Sequence, residues 1–249
     1  MPSLSKSQAI VLHLTRHGDS GAVVDVIDSA LGRQGLFVRG FGKGRGVSSS
    51  AFHSLAVLDV VTYSTSKSSL LYLREYSPSF PLDSIRSDMG KSTMALFMGE
   101  VLYRTLKRDD GDPELFRWLV ESIAQFEAAQ GSVANFHLWW LVGYCVKCGF
   151  RPRDNWSEAT PCFDMVSAQF LPSDALQQRI SLEEGNLFSP DESLLLHRLL
   201  NSTADEALAI PLSATRRRAF AEKMINYLSV HFGVTIEIKS LDVLHAVFE

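Results

Sequence analysis

Over the first eighty residues the apolar positions come in short runs, each broken by glycine or serine. AIVLHL (9–14) is one run, and GAVVDVIDS (21–29) is a β-branched second that stops at ALGRQG. LFVRGF (36–41) alternates Leu36 and Val38 against Phe37 and Arg39. LAVLDVVTY (55–63) and SLLYLREY (69–76) follow, parted by the polar STSKSS. Short β-branched runs between turn residues predict five strands closing into a small barrel or sandwich. An OB barrel fits the count and the length; strand counting leaves an SH3-like barrel open.

The pattern changes at SPSFPLDSIRSD, where Pro78 and Pro81 stop any strand or helix. From Asp83 or Ser84 onward the period becomes helical, with Met94, Phe97, Met98, Val101 and Leu102 recurring at three- and four-residue spacing. Asp112 and Pro113 open a second helix, ending before Gly131, as N-cap and first helical residue. NFHLWWLVGYCVKCG, apolar nearly all round, predicts a central third helix, whose Phe136, Trp139 and Trp140 belong to the core. Residues 151–188 are irregular and polar, and helices return at SPDESLLLHRLLN, at TRRRAFAEKMINYLSVHFG and at SLDVLHAVF. The expectation is an α+β protein with an OB-fold barrel at 1–80 and an all-α helical domain at 81–249.

Charge distribution alters this picture more than composition does. The formal net charge is −4, yet residues 1–80 carry eight cations and five anions, leaving sixteen cations and twenty-three anions beyond them. A basic N-terminal part on an acidic body is compatible with polyanion binding at one end only. No apolar run reaches the length of a membrane span, and the first residues lack a signal-peptide pattern. Three cysteines do not make a disulfide framework, so a cytoplasmic protein is expected.

The stretch RGFGKGRG (39–46) packs four glycines and three cations together. It is not a phosphate-binding P-loop, because Lys43 is followed by Gly44 with no Ser or Thr, and its glycines miss G-x-G-x-x-G. What remains is a hairpin edge leading into a basic loop, in which Arg33, Arg39, Lys43 and Arg45, with Arg16 and Lys67, are candidates to neutralise a nucleic-acid backbone. The plain alternative is a flexible turn. Neither a nucleophile elbow nor H-E-x-x-H occurs, and carboxylates such as Asp112 and Asp191 sit where helices need caps, so no catalytic site is expected. Cys145 and Cys148 form a C-x-x-C, but with Cys162 they make only three ligands; core thiols are expected, with no metal or other cofactor. Arg216, Arg217 and Arg218 read as a solvated helix face facing acidic neighbours, or else as a contact for an acidic partner.

Several stretches together resemble the RecO family of bacterial recombination mediators. AIVLHLTRHGDSGAVVDVIDSALGRQGLFVRGFGKGR is similar to its opening, with Arg16, Gly18, Asp19, Gly35, Arg39, Gly40 and Lys43 at matching positions. DSIRSDMGKSTMALFMGEVLYRTL, LWWLVGYCVKCGFRP and VTIEIKSLDVLHAVF resemble later family motifs in the same order. The resemblance implies an OB fold with a helical domain, binding of single- and double-stranded DNA, and strand annealing. It also implies a complex with RecR, recognition of the acidic SSB C-terminal tail, help in loading RecA, and no catalysis. Arg151, Arg153, Arg216 and Arg217 are candidate docking points for that tail, and the chain alone is expected to be a monomer. Many members carry a four-cysteine zinc module where RPRDNWSEATPCFDMVSAQF stands here, so the module, about 151–188, is expected to be reduced and its metal lost. The rival reading is a protein-only adaptor whose barrel binds a protein partner.

Overall fold

The structure is a computed structural model that describes residues 4–19, 21–42, 48–65, 68–107, 111–172 and 186–248. Five strands, β1 (Leu4–His17), β2 (Gly21–Asp28), β3 (Gly32–Arg39), β4 (Val57–Thr65) and β5 (Ser68–Pro78), close into a barrel in the order β1-β2-β3-β5-β4. The order and the single parallel pair, β3 with β5, are those of an OB-like barrel. β1 is longer than its apolar run predicts. Its polar first part, from Leu4, pairs with β4, while Ala9–His17 pairs with β2, so one strand serves two neighbours. β3 likewise begins early, at Gly32, and the polar Arg33-Gln34 pair lies in the ladder opposite Ile27 and Val26.

The barrel interior holds Ala9, Val11, Ala22, Val24, Val26, Leu36, Val38, Leu58 and Val60. One end is plugged by Phe52, which lies in edge contact with Phe41 and against Tyr76, just after the 3-10 turn Ser49–Ala51.

The long helix expected from residue 83 is two helices. α1 (Asp83–Ser87) stops where Asp88 adopts an extended backbone, and the Asp88 carboxylate accepts from Lys91 N–H at 2.8 Å to cap α2 (Met89–Thr105). A capping carboxylate offers the backbone a better partner than helix continuation does. α3 (Pro113–Ala128) begins as its Asp-Pro pair predicts, with Asp112 accepting from the amides of Glu114 and Leu115. α2 packs against β1, where a Cβ at Gly99 would lie 3.3 Å from Leu12 O and would also collide with the Ser54 hydroxyl in the segment before β4. Met1–Ala128 and Ile238–Val247 form one compact unit, so α8 (Ser240–Val247) lies on α2, where Glu100 accepts from Ser240 N–H and Oγ–H.

The second unit, Ala129–Glu237 with Phe248–Glu249, contains α4 (Phe136–Lys147), β6 (Cys162–Asp164), β7 (Gln169–Leu171), α5 (Pro190–Leu200), α6 (Ala204–Leu208) and α7 (Ala214–Phe232). α6 escaped the sequence reading because it is only five residues long, although Thr203 and Glu206 close it with a reciprocal capping box. The stretch read as irregular contains the β6–β7 hairpin. Phe163 on β6 is fully buried against Phe170, Phe188 and Tyr227, and Phe188 meets Phe220 on α7. Asn155 ties the incoming segment to β7, donating to Phe170 O at 2.9 Å and accepting from its N–H at 3.0 Å. An aromatic cluster is the core of this hairpin. Phe163→Ala should therefore lower stability by about 3–5 kcal/mol, read as a shift in the urea or thermal midpoint of the purified protein.

Candidate nucleic-acid interface

Alternation along the strands sends Leu36, Val38, Ala22 and Val24 into the barrel and turns Phe37 and Arg39 outward. The parallel pair sets Phe37 beside Tyr72, and the β4–β5 ladder sets Tyr72 beside Tyr63. The rings are in contact. Phe37 and Tyr72 lie edge to face at 5.6 Å between centroids, Tyr63 and Tyr72 are stacked at 5.3 Å, and His17 meets Phe37 at 6.0 Å. The Arg39 guanidinium stands 5.3 Å from the centre of the Tyr72 ring.

Phe37, Tyr63 and Tyr72 are half-buried, whereas Arg16, His17 and Arg39 are exposed. Arg39 lies opposite Gly21, which lies opposite His17. A Cβ on Gly21 would come within 3.1 Å of the Phe37 ring and 2.9 Å of His17 O, so the bare glycine lets that ring lie across β2. Arg16 pairs with Ala22, at the alternate position to His17 near the β1–β2 turn. Neither Arg16 nor Arg39 has an ion-pair partner among the described residues. The structure thus assembles a ring platform bordered by Arg39, while Arg16, opposite the inward-facing Ala22, is exposed but does not share the outward parity of the rings.

The other candidates divide. Lys43, Arg45 and Lys67 lie outside the described residues. Arg33 is held by the fold. Its Nη1 donates to the Tyr103 and Leu106 carbonyls at 2.7 and 2.9 Å, at the C-terminal end of α2, and its guanidinium covers the Tyr103 ring at 4.1 Å. A cation there meets the negative end of the helix dipole, and Asp25 lies 3.5 Å away. In the second unit, Arg216 pairs with Asp191 at 3.1 Å, and Arg217 donates to Leu212 O at 2.8 Å and Phe248 O at 2.6 Å. Arg151 and Arg153 are exposed.

Cys145 is fully buried in α4, and burial pushes its thiol well above the usual range; burial also raises Cys162 on β6. Protonated, enclosed thiols are poor metal ligands. Among the described residues no group of three or more His, Cys, Asp or Glu side chains is placed to hold a metal ion.

Sequence reasoning weighted the cations and missed the rings. Phe37 and Arg39 shared an outward parity in plain view, but Tyr63 and Tyr72 join them only through the register of β4, β5 and β3.

Residues 1–81 match the family described as Recombination protein O N terminal, and residues 86–241 match Recombination protein O C terminal. The chain belongs to the RecO family. Its relatives include the DNA repair protein RecO of Bacteroides fragilis, 28% identical over 247 residues, and that of Azobacteroides pseudotrichonymphae, 25% identical over 247; each alignment covers 99% of this chain and all of the relative. The RecO of Flavobacterium psychrophilum is 27% identical over 245 residues, 98% of both chains. Membership in RecO supports a role in recombinational DNA repair, and the barrel followed by helices is what the two matched halves require. Among the described residues no helix is long and apolar enough to cross a membrane.

The contrast between the two arginines is measurable. Arg33→Ala should destabilise the protein by about 1.5–3 kcal/mol through lost charge-assisted hydrogen bonds, whereas Arg39→Ala should change stability by no more than about 0.5 kcal/mol. Chemical denaturation of the two variants checks this.

Proposed function

We propose that this RecO chain is a DNA-binding recombination mediator whose barrel holds the nucleic acid on the outward face of β3, β5 and β4. The observation that carries the reading is the ring platform of Phe37, Tyr63 and Tyr72 bordered by Arg39, with Arg16 exposed near the β1–β2 turn. Cations neutralise phosphates and release counterions, and aromatic side chains on a barrel face accept bases, which is how OB folds bind oligonucleotides. Lys43, Arg45 and Lys67, outside the described residues, are the further cations of this proposal. Arg33 contributes by docking the barrel on α2.

The function is exchange of bound partners, with no catalytic step and no metal or cofactor assigned. Annealing of complementary strands, a complex with RecR, recognition of the SSB C-terminal tail and help in loading RecA in the bacterial cytoplasm follow from the family reading. The acidic remainder of the chain suits protein contacts better than DNA. Arg151 and Arg153 are the exposed cations there proposed for the tail, with Arg216 and Arg217 needing to leave their present partners first.

Fluorescence anisotropy with a labelled dT oligonucleotide at 50 and 200 mM salt tests the proposal. Affinity should fall by at least about tenfold between the two, and by a further tenfold or more in Arg39→Glu/Lys43→Glu/Arg45→Glu at the lower salt. Unchanged binding by the triple variant would sink it. No DNA binding at either salt, with RecR still bound, would favour the protein-only adaptor.

A further inference from the structure

Between the barrel and α1, both in the first unit, the chain encloses a half-open cavity of about 400 Å³, a size that takes a small organic molecule. Its apolar walls are Val57 and Leu58 of β4, Pro78 at the end of β5, and Phe80, Pro81 and Leu82 of the linker. Antiparallel pairing sets Leu58 opposite Pro78, and Ser79 N–H donates to Val57 O at 2.9 Å, so the ladder brings those walls together. Pro78 and Pro81 have no N–H, so neither strand nor helix runs on through the linker to fill the gap.

His53, Asp83 and Arg86 line the same cavity, and each keeps a polar group without a partner among the described residues. His53 is half-buried, with its Nδ1 at 3.1 Å from Ser54 O. A carbonyl only accepts, so Nδ1 carries the proton and Nε2 is left as an acceptor. Burial lowers the pKa of this imidazole and Arg86 lowers it further, so the ring is neutral at pH 7 and above. Asp83 and Arg86 stand three residues apart on α1, a spacing that puts them on one face of the helix. Both are exposed, yet no ion pair joins them to each other or to another described residue. Glu127, the other carboxylate near His53, is occupied, since it accepts from Ser84 and Ile85 N–H at 2.7 and 2.8 Å.

We propose that this cavity binds a free apolar α-amino acid of about leucine size, with its ammonium on Asp83 and His53 Nε2, its carboxylate on Arg86 and its side chain among Val57, Leu58, Phe80 and Leu82. The pair of opposite, unpaired charges selects the class. A simple carboxylate drawn to Arg86 is repelled by Asp83, and a simple amine drawn to Asp83 is repelled by Arg86. A zwitterion carries both charges on one carbon and satisfies both residues. Charge-assisted hydrogen bonds fix the ligand's head, and burial of its side chain against the apolar walls adds affinity. A nucleic-acid backbone, with charge of one sign only, does not meet these requirements, so the site is separate from the proposed DNA face. An occupant braces the linker between β5 and α1 and stabilises the folded chain.

The test titrates L-leucine, glycine, N-acetyl-leucine and leucine amide into the intact protein at about pH 7.5, where His53 is neutral, and follows amide NMR shifts. Leucine should give saturable shifts at Ala51–His53 and Ser79–Leu82, and each of the other three should bind about tenfold more weakly or worse. Arg86→Ala should weaken leucine about tenfold while leaving leucine amide unchanged, and Asp83→Asn should weaken leucine about tenfold while leaving N-acetyl-leucine unchanged. The wild-type comparison needs no variant to fold, and both substituted side chains are exposed and unpaired. N-acetyl-leucine or leucine amide binding as tightly as leucine overturns the proposal, as do shifts confined to other segments, or no saturable shift at the solubility limit of leucine. An Arg86→Ala protein that binds leucine as wild type does overturns it too.

Discussion

Barrel closure is the constraint on which the rest of the first unit depends, and it hangs on few residues. β3 meets β5 through two parallel pairs, Leu36 with Leu71 and Phe37 with Tyr72. One pair belongs to the core and the other to the surface. Because side chains alternate along a strand, a slip of one residue would exchange the two sets, exposing Leu36 and Leu71 and burying the rings. The hydrophobic interior therefore fixes the outward platform: the residues proposed to meet DNA hold their relative positions because their neighbours in sequence cannot leave the core. β1 makes the closure possible by pairing first with β4 and then with β2.

Among the described residues, cations held by the fold and cations left exposed differ in their partners. Arg33 and Arg217 donate to backbone carbonyls, and Lys91 is buried with its ammonium on Ser84 Oγ and Glu127 O, at 2.7 and 2.9 Å. Burial lowers the Lys91 pKa against the pull of Glu127 and Asp88, and the hydrogen bonds keep the charge inside. Arg39 and Arg16 are exposed and unpaired by any described carboxylate. A protein with net charge −4 can thus present a basic surface, since long-range attraction is screened beyond about 8 Å at physiological salt and the local charge decides. In the second unit, the β6–β7 hairpin is closed by Phe163, Phe170, Phe188, Phe220 and Tyr227.

Much of this was legible in the residues. The apolar runs marked all five strands, the proline pair marked the end of the β region, and Asp112-Pro113 marked a helix start where the structure has it. The misses have physical causes. Ser5–Gln8 is polar, so nothing local marks it as strand; its pairing with β4 does. Asp88 sits inside a helical pattern and breaks it by capping, a competition that periodicity alone does not reveal. Arg33 looked like its basic neighbours because its partners, the Tyr103 and Leu106 carbonyls, are seventy residues away in sequence. The aromatic platform was hidden for the same reason: Phe37, Tyr63 and Tyr72 become one site only through non-local register.

The central claim is that DNA lies on the outward face of the barrel, over the rings. Hydrogen–deuterium exchange of the intact protein with and without a saturating dT oligonucleotide tests it most directly. Slowed exchange in peptides carrying Phe37–Gly40, Thr62–Ser64 and Leu71–Leu73, with α4 and α7 unaffected, is the predicted result. Protection confined to the second unit, with those three segments exchanging as in the free protein, would contradict the account.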